Sequence, residues 1–237
     1  MKLLNLFYFF ILVFTISGPL ALSFDKKVHF NSYFKSAFLA SFIIGIPFII
    51  WDMIFTHFGI WGFNYDYLIG LEIINLPLEE ILFFLIIPFA FLFTYECIRV
   101  YFDYNFWNWV SRVVIILFMS ILTPLAILNI DDIYTAVVLL IWSATCIFTL
   151  IKLPKWYSNF LVSFLITLIP FYLVDGAITG NYTTEPMVWY NNLETLGIRV
   201  GTIPIEDFVY SYVMLFWNVF VFEKLRSKNR KALFDSL

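Results

Sequence analysis

Long apolar segments alternate with short polar ones along the whole chain, and each apolar segment has roughly the length of a membrane span. A helix needs roughly 20 mainly apolar residues to cross the hydrocarbon core of a bilayer, which is about 30 Å thick. Seven segments approach that length, at 3–23, 36–55, 78–98, 110–129, 133–151, 158–175 and 203–222. The pattern therefore predicts an all-α fold, an integral membrane bundle of about seven transmembrane helices.

The first apolar segment also has features of a cleavable signal peptide, because it follows a lysine at position 2. It is longer than the apolar region of about 7–15 residues that is typical of such peptides. We therefore expect it to be retained as a helix. Since no linker is long enough to separate domains, residues 1–237 are expected to form a single membrane domain.

The composition supports a membrane fold. Hydrophobic residues make up 62% of the 237 positions and charged residues 13%, whereas soluble domains are roughly 45–50% apolar and about 25% charged. The net charge of −3 gives no reason to expect nucleic-acid binding. Cys97 and Cys146 lie in apolar runs without metal-binding spacing, so we expect them to be buried as small apolar residues.

The basic residues indicate how the bundle is oriented. With seven helices, Lys2 and Arg199 lie on the side of the N-terminus, and the other twelve of the 14 lysines and arginines lie on the opposite side. Cytoplasmic loops carry the excess of basic residues in membrane proteins. We therefore expect a multi-pass protein of the cell (inner) membrane, with its N-terminus outside and its C-terminus in the cytoplasm.

The chain contains an internal repeat. A Pro-Phe motif that ends in aspartate closes the second segment at 47–52 and the sixth at 170–175, and a glycine precedes the next proline by seven residues in both halves. The predicted units are repeat 1 at about 1–100, a connecting helix at about 108–130, repeat 2 at about 131–226 and a cytoplasmic tail at 227–237. Because one helix connects them, the repeats are predicted to be parallel, with function at their interface.

Acidic residues recur at the same places in both repeats. Pro-Leu-Glu-Glu opens the third helix at 77–80, and Pro-Ile-Glu-Asp opens the seventh at 204–207. A helix N-terminus favours negative charge, so Glu79 and Glu206 could simply be capping residues. However, each motif has two acids, an aspartate ends each preceding helix, and ionisable groups at membrane depth are usually functional. We therefore predict an acid–base site at Glu79, Glu80, Glu206, Asp207, Asp52 and Asp175.

Aromatic residues accompany these acids and are candidates for binding an apolar substrate. Aromatic faces stabilise cations by roughly 0.5–2 kcal/mol each, and they also stack on polyenes. An interfacial aromatic belt is the alternative, and it is favoured for Trp107, Trp109 and Trp156 beside the basic loops. The candidate substrate-binding residues are Phe83, Phe84, Trp51, Trp61, Tyr210 and Tyr212.

Several cofactor-dependent classes are not indicated. The chain has no glycine-rich dinucleotide motif and no P-loop. Its two histidines are too few for a histidine-rich di-iron site, and the seventh segment has no central lysine for a retinal Schiff base. We expect no cofactor and no metal.

The motifs at 77–84 and 204–207 resemble the paired signatures of heterodimer-type lycopene cyclases. In that family two three-helix units are separate subunits in some bacteria and are fused in one chain in archaea, other bacteria and fungi. The fused form is similar to this whole chain. The second motif departs from the first in ending with Asp207, and the residues after it differ from those after Glu80. Whether the two halves contribute equally is therefore open.

The resemblance implies an isomerase, or intramolecular lyase, that acts on a lipid-soluble carotenoid. It would convert the acyclic ψ end groups of lycopene, or of a related carotene, to β-ionone rings by redox-neutral, proton-initiated cyclisation. The four motif acids would be catalytic, with Asp52 and Asp175 supporting them or relaying protons. A small transporter or channel that uses the same acids for protons or cations is the alternative. The oligomeric state, the number of substrate ends cyclised and the ring isomer are not predicted.

Overall fold

The computed structural model describes residues 3–102, 108–152 and 154–234. Within these ranges, seven helices are long and apolar enough to cross a membrane, which confirms the predicted fold class. The protein is therefore a multi-pass membrane protein. The helices are α1 (Phe7–Leu22), α2 (Phe34–His57), α3 (Leu78–Tyr101), α4 (Asn108–Leu128), α5 (Ile133–Lys152), α6 (Tyr157–Thr179) and α7 (Ile205–Phe234).

Two helices are longer than the sequence pattern predicted. Asp52 and Asp175 were expected to end the second and sixth helices, but α2 continues for about one more turn to His57 and α6 to Thr179. α6 ends where Gly180 adopts a positive φ of 108°, a conformation that glycine adopts readily. As a result, both aspartates lie inside helices, with their side chains within the bundle.

The helix α7 also extends beyond the predicted end of the last repeat. It continues to Phe234, so the segment after 226, predicted to be a tail, carries on the helix through residue 234. The reason is that residues 227–234 contain no glycine or proline to stop the helix. The predicted tail is thus helical through residue 234, and its location in the cytoplasm stays a prediction.

Short antiparallel strands, which the sequence pattern did not predict, cover the end of the bundle that carries the acidic motifs. The strands β2 (Glu72–Ile73) and β3 (Leu76–Pro77) form a hairpin before α3, and β5 (Arg199–Val200) and β6 (Ile203–Pro204) form the equivalent hairpin before α7. β1 (Trp61–Phe63) pairs with β4 (Val188–Tyr190) from the other repeat. This pairing joins the two repeats beside the acids.

The helices α3 and α7 occupy the centre of the bundle. α1 packs against α3, and α5 packs against α7. α2 contacts both central helices along its length, whereas α6 packs along α3 and touches α7 at only a few places. α4 packs mainly against α5 at the periphery, as suits a connecting helix. The loose contact between α6 and α7 leaves room for a cavity inside the bundle.

Candidate active site

The loops before α3 and α7 are held by the first acid of each motif. The Ile69 backbone N–H donates a hydrogen bond of 2.7 Å to Oε1 of Glu79. In the second repeat the Leu196 backbone N–H donates an equivalent bond of 2.7 Å to Oε1 of Glu206, which also accepts from the Thr135 hydroxyl at 2.6 Å. Both carboxyl groups are buried. The first acid of each motif therefore fixes the loop that precedes its own helix.

The second acid of each motif lines a cavity and meets a tyrosine from the first helix of its own repeat. The Tyr8 hydroxyl donates a hydrogen bond of 2.8 Å to Oε2 of Glu80, and the Tyr134 hydroxyl donates to Oδ1 of Asp207. Glu80 and Asp207 are both buried and close enough to interact electrostatically. Since adjacent residues on a helix point about 100° apart, the two acids of each motif divide into a loop contact and a cavity contact.

Asp52 of α2 and Asp175 of α6 complete the acidic group. Both are buried and line the same cavity as Glu80 and Asp207. Trp61 lines the cavity beside them. Among the described residues, Oδ2 of both aspartates lacks a hydrogen-bond partner, as do Oδ2 of Asp207 and Oε2 of Glu79 and Glu206. Buried polar atoms are normally paired, so these oxygens are candidates to bind or relay a proton.

The cavity has a volume of about 440 Å³ and is lined mainly by apolar side chains. From Glu80 to Thr94 it follows one face of α3, and at 1.5 Å per residue this face is about 21 Å long. Phe14 of α1 and Pro170 of α6 border the cavity and are exposed on the surface of the bundle. The cavity therefore reaches the surface between α1 and α6, where the surrounding medium is lipid.

Among the described residues, no lysine, arginine or histidine lines this cavity. Arg199 of β5 lies outside the lining but is close enough to Asp207 to interact with it electrostatically. Four carboxylates in an apolar enclosure, with one cation nearby, would be very costly to keep charged together. Within the described residues, no cluster of histidine, cysteine and acidic side chains is arranged to hold a metal ion. The arrangement is suited to holding and exchanging protons.

Tyr190 of β4 lines the cavity at the edge of this site and is close enough to Asp207 to interact with it electrostatically. Its burial, reinforced by the nearby carboxyl groups of Asp207 and Asp175, raises the pKa of the Tyr190 hydroxyl well above its ordinary value of 10.0. The hydroxyl therefore remains a neutral donor at every physiological pH. Asp207 thus accepts a hydrogen bond from Tyr134 and has Tyr190 nearby, whereas Glu80 accepts one from Tyr8.

The six predicted acids lie close together, and four of them reach the cavity. Asp52, Glu80, Asp175 and Asp207 line it, while Glu79 and Glu206 bind backbone groups of the adjacent loops. The division between the two acids of each motif could not be predicted from the motif alone.

Three of the six predicted aromatic residues line the cavity, namely Trp61, Phe83 and Tyr210. The other three are not part of the lining. Phe84 is buried against α2, and Trp51 packs against Tyr210 at a centroid distance of 5.0 Å. The Tyr212 hydroxyl shares a hydrogen bond of 2.6 Å with that of Tyr157 in the core.

Sequence reasoning missed the tyrosine partners of the acids. Tyr8 precedes Glu80 by 72 residues, and Tyr134 precedes Asp207 by 73. Extending the repeat alignment into the first helix of each unit places these two tyrosines at equivalent positions only when a second gap is allowed between the first and second helices. In a chain with 14 tyrosines, the spacing was the one available signal.

Charged residues also meet at the opposite end of the bundle, which holds the α1–α2 and α5–α6 loops and the last turns of α3. We call it the basic end because these segments carry lysine and arginine residues. There Glu96 is fully buried and pairs with Arg99 and Arg226. Glu223 pairs with Arg226 at 2.7 Å and accepts a hydrogen bond from Tyr95 at 2.6 Å. This network joins α3 to α7 at the far end from the cavity acids.

Fold and site together define a polytopic membrane protein in which two repeats contribute acids to one apolar cavity. The chain belongs to the lycopene cyclase family, because a model of that family, described as lycopene cyclase, matches residues 5–98 and 131–225. The match covers both repeats and supports the function of a carotenoid cyclase. Neither the curated proteins nor the solved structures contain a match to this chain.

Proposed function

We propose that this protein converts an acyclic ψ end group of lycopene, or of a related carotene, to a β-ionone ring. The observation that carries the proposal is a single apolar cavity in which Glu80 and Asp207, one from each repeat, lie within electrostatic range of each other. Membership of the lycopene cyclase family supports a carotenoid as the substrate class.

The shape of the cavity suits one end of a long hydrocarbon. The substrate would enter from the lipid between α1 and α6, past Phe14 and Pro170. Its polyene would lie along the apolar face of α3, where Ile87, Ala90 and Phe91 line the cavity. The end group would then reach the carboxyl groups at the other end of the cavity. Because the lining is apolar, it would also keep water away from reactive intermediates.

The proposed reaction begins with proton transfer from a neutral carboxyl group, of Glu80 or Asp207, to the terminal double bond. The resulting tertiary cation is attacked by the internal double bond, which forms the carbon–carbon bond of the ring and moves the positive charge onto the ring. A carboxylate then removes a proton from the adjacent carbon, and the ring double bond forms. One proton enters and one leaves, so the product is an isomer of the substrate and no redox partner is needed.

The remaining acids have supporting roles in this proposal. Tyr8 and Tyr134 position Glu80 and Asp207 by hydrogen bonds. Asp52 and Asp175, whose Oδ2 atoms have no partner among the described residues, would return the proton between turnovers. Glu79 and Glu206, predicted to be catalytic, lie immediately beside these groups; their backbone contacts favour a role in holding the loops.

Aromatic side chains would stabilise the cation. Trp61, Phe83 and Tyr210 line the cavity close to the acids. A ring face contributes roughly 0.5–2 kcal/mol of attraction to a cation, and more where water is excluded. The alternative prediction, a transporter for protons or cations, would require a polar path across the membrane, and the lining along α3 beyond Glu80 is apolar up to Thr94.

The experiment is expression in bacteria that accumulate lycopene, followed by chromatography of the extracted pigments. The native chain should yield γ- or β-carotene. Glu80→Gln and Asp207→Asn should each reduce cyclisation by at least about 100-fold, the usual contribution of general acid–base catalysis. Glu185→Gln is the matched control, since Glu185 is an exposed acid in the α6–α7 connection.

Membrane levels of every variant must be equal, which blotting of the membrane fraction establishes. Unchanged lycopene in cells that contain well-inserted native protein would refute the proposal for this substrate. Proton or cation flux in proteoliposomes would then test the transporter alternative. The orientation, with the N-terminus outside a cell membrane, is tested separately by cysteine labelling in the α1–α2 loop and in the α6–α7 connection.

A further inference from the structure

A second, smaller pocket lies at the basic end of the bundle, at the opposite end from the cavity acids. It has a volume of about 200 Å³ and is formed by the ends of α3 and α7 and by the α5–α6 loop. The residues that line it are Tyr95, Arg99, Lys155, Trp156, Asn159, Glu223 and Arg226. Three of these seven are cations, so the pocket differs in chemistry from the substrate cavity.

The two arginines are held in place by two acids, the buried Glu96 and the half-buried Glu223. Glu96 binds Arg99 and Arg226, and Glu223 binds Arg226. Arg99 uses Nε and Nη2 for these contacts, and Arg226 uses Nη1 and Nη2. A guanidinium has five N–H donors, so each arginine keeps donors for another ligand. The side chain of Arg99 is 28% exposed and that of Arg226 17%, which leaves both accessible from the pocket.

Lys155 makes the pocket attractive to an anion. It is exposed and forms no ion pair within the described part of the chain. With Arg99 and Arg226 against Glu96 and Glu223, the pocket would be neutral, and Lys155 adds one positive charge. Paired guanidinium groups with fixed orientation and a nearby ammonium group are the donors that phosphate groups prefer.

We propose that this pocket binds a phosphate group, carried by an anionic phospholipid or present as free phosphate. Trp156 borders the pocket, and tryptophan at the end of a membrane span marks the depth of lipid headgroups. Basic pockets between membrane helices are known binding places for anionic headgroups. The site is independent of the proposed carotenoid chemistry, because none of its residues lines the substrate cavity.

The test uses purified, delipidated protein in a neutral detergent, titrated separately with phosphatidylglycerol, phosphatidylcholine and inorganic phosphate. Native mass spectrometry counts bound lipid, and the unfolding temperature reports phosphate binding. Phosphatidylglycerol should bind more tightly than phosphatidylcholine. Lys155→Gln should weaken that binding roughly fivefold, since one lysine near a membrane surface has an effect of that size. Lys152→Gln is the control, because Lys152 is exposed nearby but does not line the pocket.

The outcomes separate the sources of the phosphate. Preferential binding of phosphatidylglycerol that depends on Lys155 identifies a lipid, and a rise in unfolding temperature with inorganic phosphate that also depends on Lys155 identifies free phosphate. Equal binding of both lipids, together with no effect of inorganic phosphate, would overturn the proposal. Equal losses in Lys155→Gln and Lys152→Gln would overturn it too, since they would indicate only the general charge of this surface. Unchanged unfolding temperatures of both variants without ligand establish that the fold is intact.

Discussion

The second helices of the two repeats pack differently, and the difference creates the cavity. α2 packs closely against α3, the third helix of its own repeat, whereas α6 touches the corresponding helix α7 at only a few places. The space between the second and third helices is therefore filled in the first repeat, beside α2, and open in the second repeat, beside α6. Two similar repeats thus produce one cavity, to which both contribute acids.

One cause of the difference is the size of the residue facing the third helix. Gly45 of α2 lies against Phe84, and a Cβ atom at this position would be 3.5 Å from the Cβ of Phe84. Small residues let membrane helices approach closely. The repeat places Leu168 of α6 at the equivalent position, and Leu168 lines the cavity. Glycine in α2 therefore allows close packing against α3, whereas leucine at the equivalent position holds α6 away from α7.

A second cause is the residue that precedes the repeated aspartate, Asp52 in α2 and Asp175 in α6. Trp51 precedes Asp52 and packs against Phe48 and Tyr210, with ring centroids 5.7 Å and 5.0 Å away. Val174 precedes Asp175 and lines the cavity. The indole occupies the space that valine leaves open. The width of the cavity is thus decided by side-chain volume at a few paired positions, while the acids are the same in kind on both sides.

The largest expected effect comes from closing the open side with Val174→Trp. The added indole would occupy the cavity beside Asp175 and displace the substrate. Because a misplacement of about 1 Å can cost roughly 100-fold in rate, we expect conversion of lycopene to fall by at least that factor. Pigment chromatography of lycopene-accumulating cells measures it.

Leu173→Trp is the control for this substitution. Leu173 is the neighbouring residue on α6, is 53% exposed and does not line the cavity. It should therefore accept an indole with conversion unchanged. Full activity of Val174→Trp at normal membrane levels would mean that the substrate does not use this cavity.

A smaller loss is expected when the tyrosine donors are removed. Tyr8→Phe and Tyr134→Phe each delete one hydrogen bond to a cavity carboxyl group. A hydrogen bond contributes about 0.5–1.5 kcal/mol to a neutral partner and about 1.5–3 kcal/mol to a charged one, so we expect about a tenfold decrease in turnover for each. The pH dependence of turnover should also shift, which a purely structural defect would not cause. Tyr157→Phe is the control, since within the described part of the chain that hydroxyl bonds Tyr212 in the core and no cavity acid. A loss in one variant alone would show that the repeats contribute unequally.

Much of the fold could be predicted from the sequence, because apolar length and repeated proline and glycine positions depend on local chemistry. The proximity of the six acids followed from the repeat. The choice between adjacent acids did not, because Glu79 and Glu80 differ only in which face of α3 they occupy. The open side of the cavity could not be predicted either, since the effect of Gly45 and Leu168 on helix packing depends on which helices face them. The strands β1 and β4 are three residues each and pair across repeats, which no local pattern indicates.

The hydroxyl of Tyr190, in strand β4 at the edge of the cavity, gives a prediction about stability at high pH. Its raised pKa means that the folded protein keeps the proton when unfolded tyrosine, with a pKa of about 10, has lost it. The resulting stability is fully present below about pH 10 and is lost as pH rises through the folded pKa. The unfolding temperature of Tyr190→Phe should therefore decline less steeply above about pH 10 than that of the native chain. Its turnover should fall only a few-fold, because Tyr134 still donates a hydrogen bond to Asp207. Parallel declines would show that this hydroxyl is not buried against Asp207.

The smallest effect on activity is expected from opening the closed side with Trp51→Val. The indole Nε1 of Trp51 is buried without a partner among the described residues, so its removal costs packing alone. Deleting a large ring from a core destabilises by about 3 kcal/mol, which an unfolding titration in denaturing detergent would measure. Conversion of lycopene should stay near the native level, because the substrate cavity beside α6 is unchanged. New products or a higher rate would instead show that the space beside α2 can also admit a substrate, and that only the volume of Trp51 prevents the protein from having two equivalent sites.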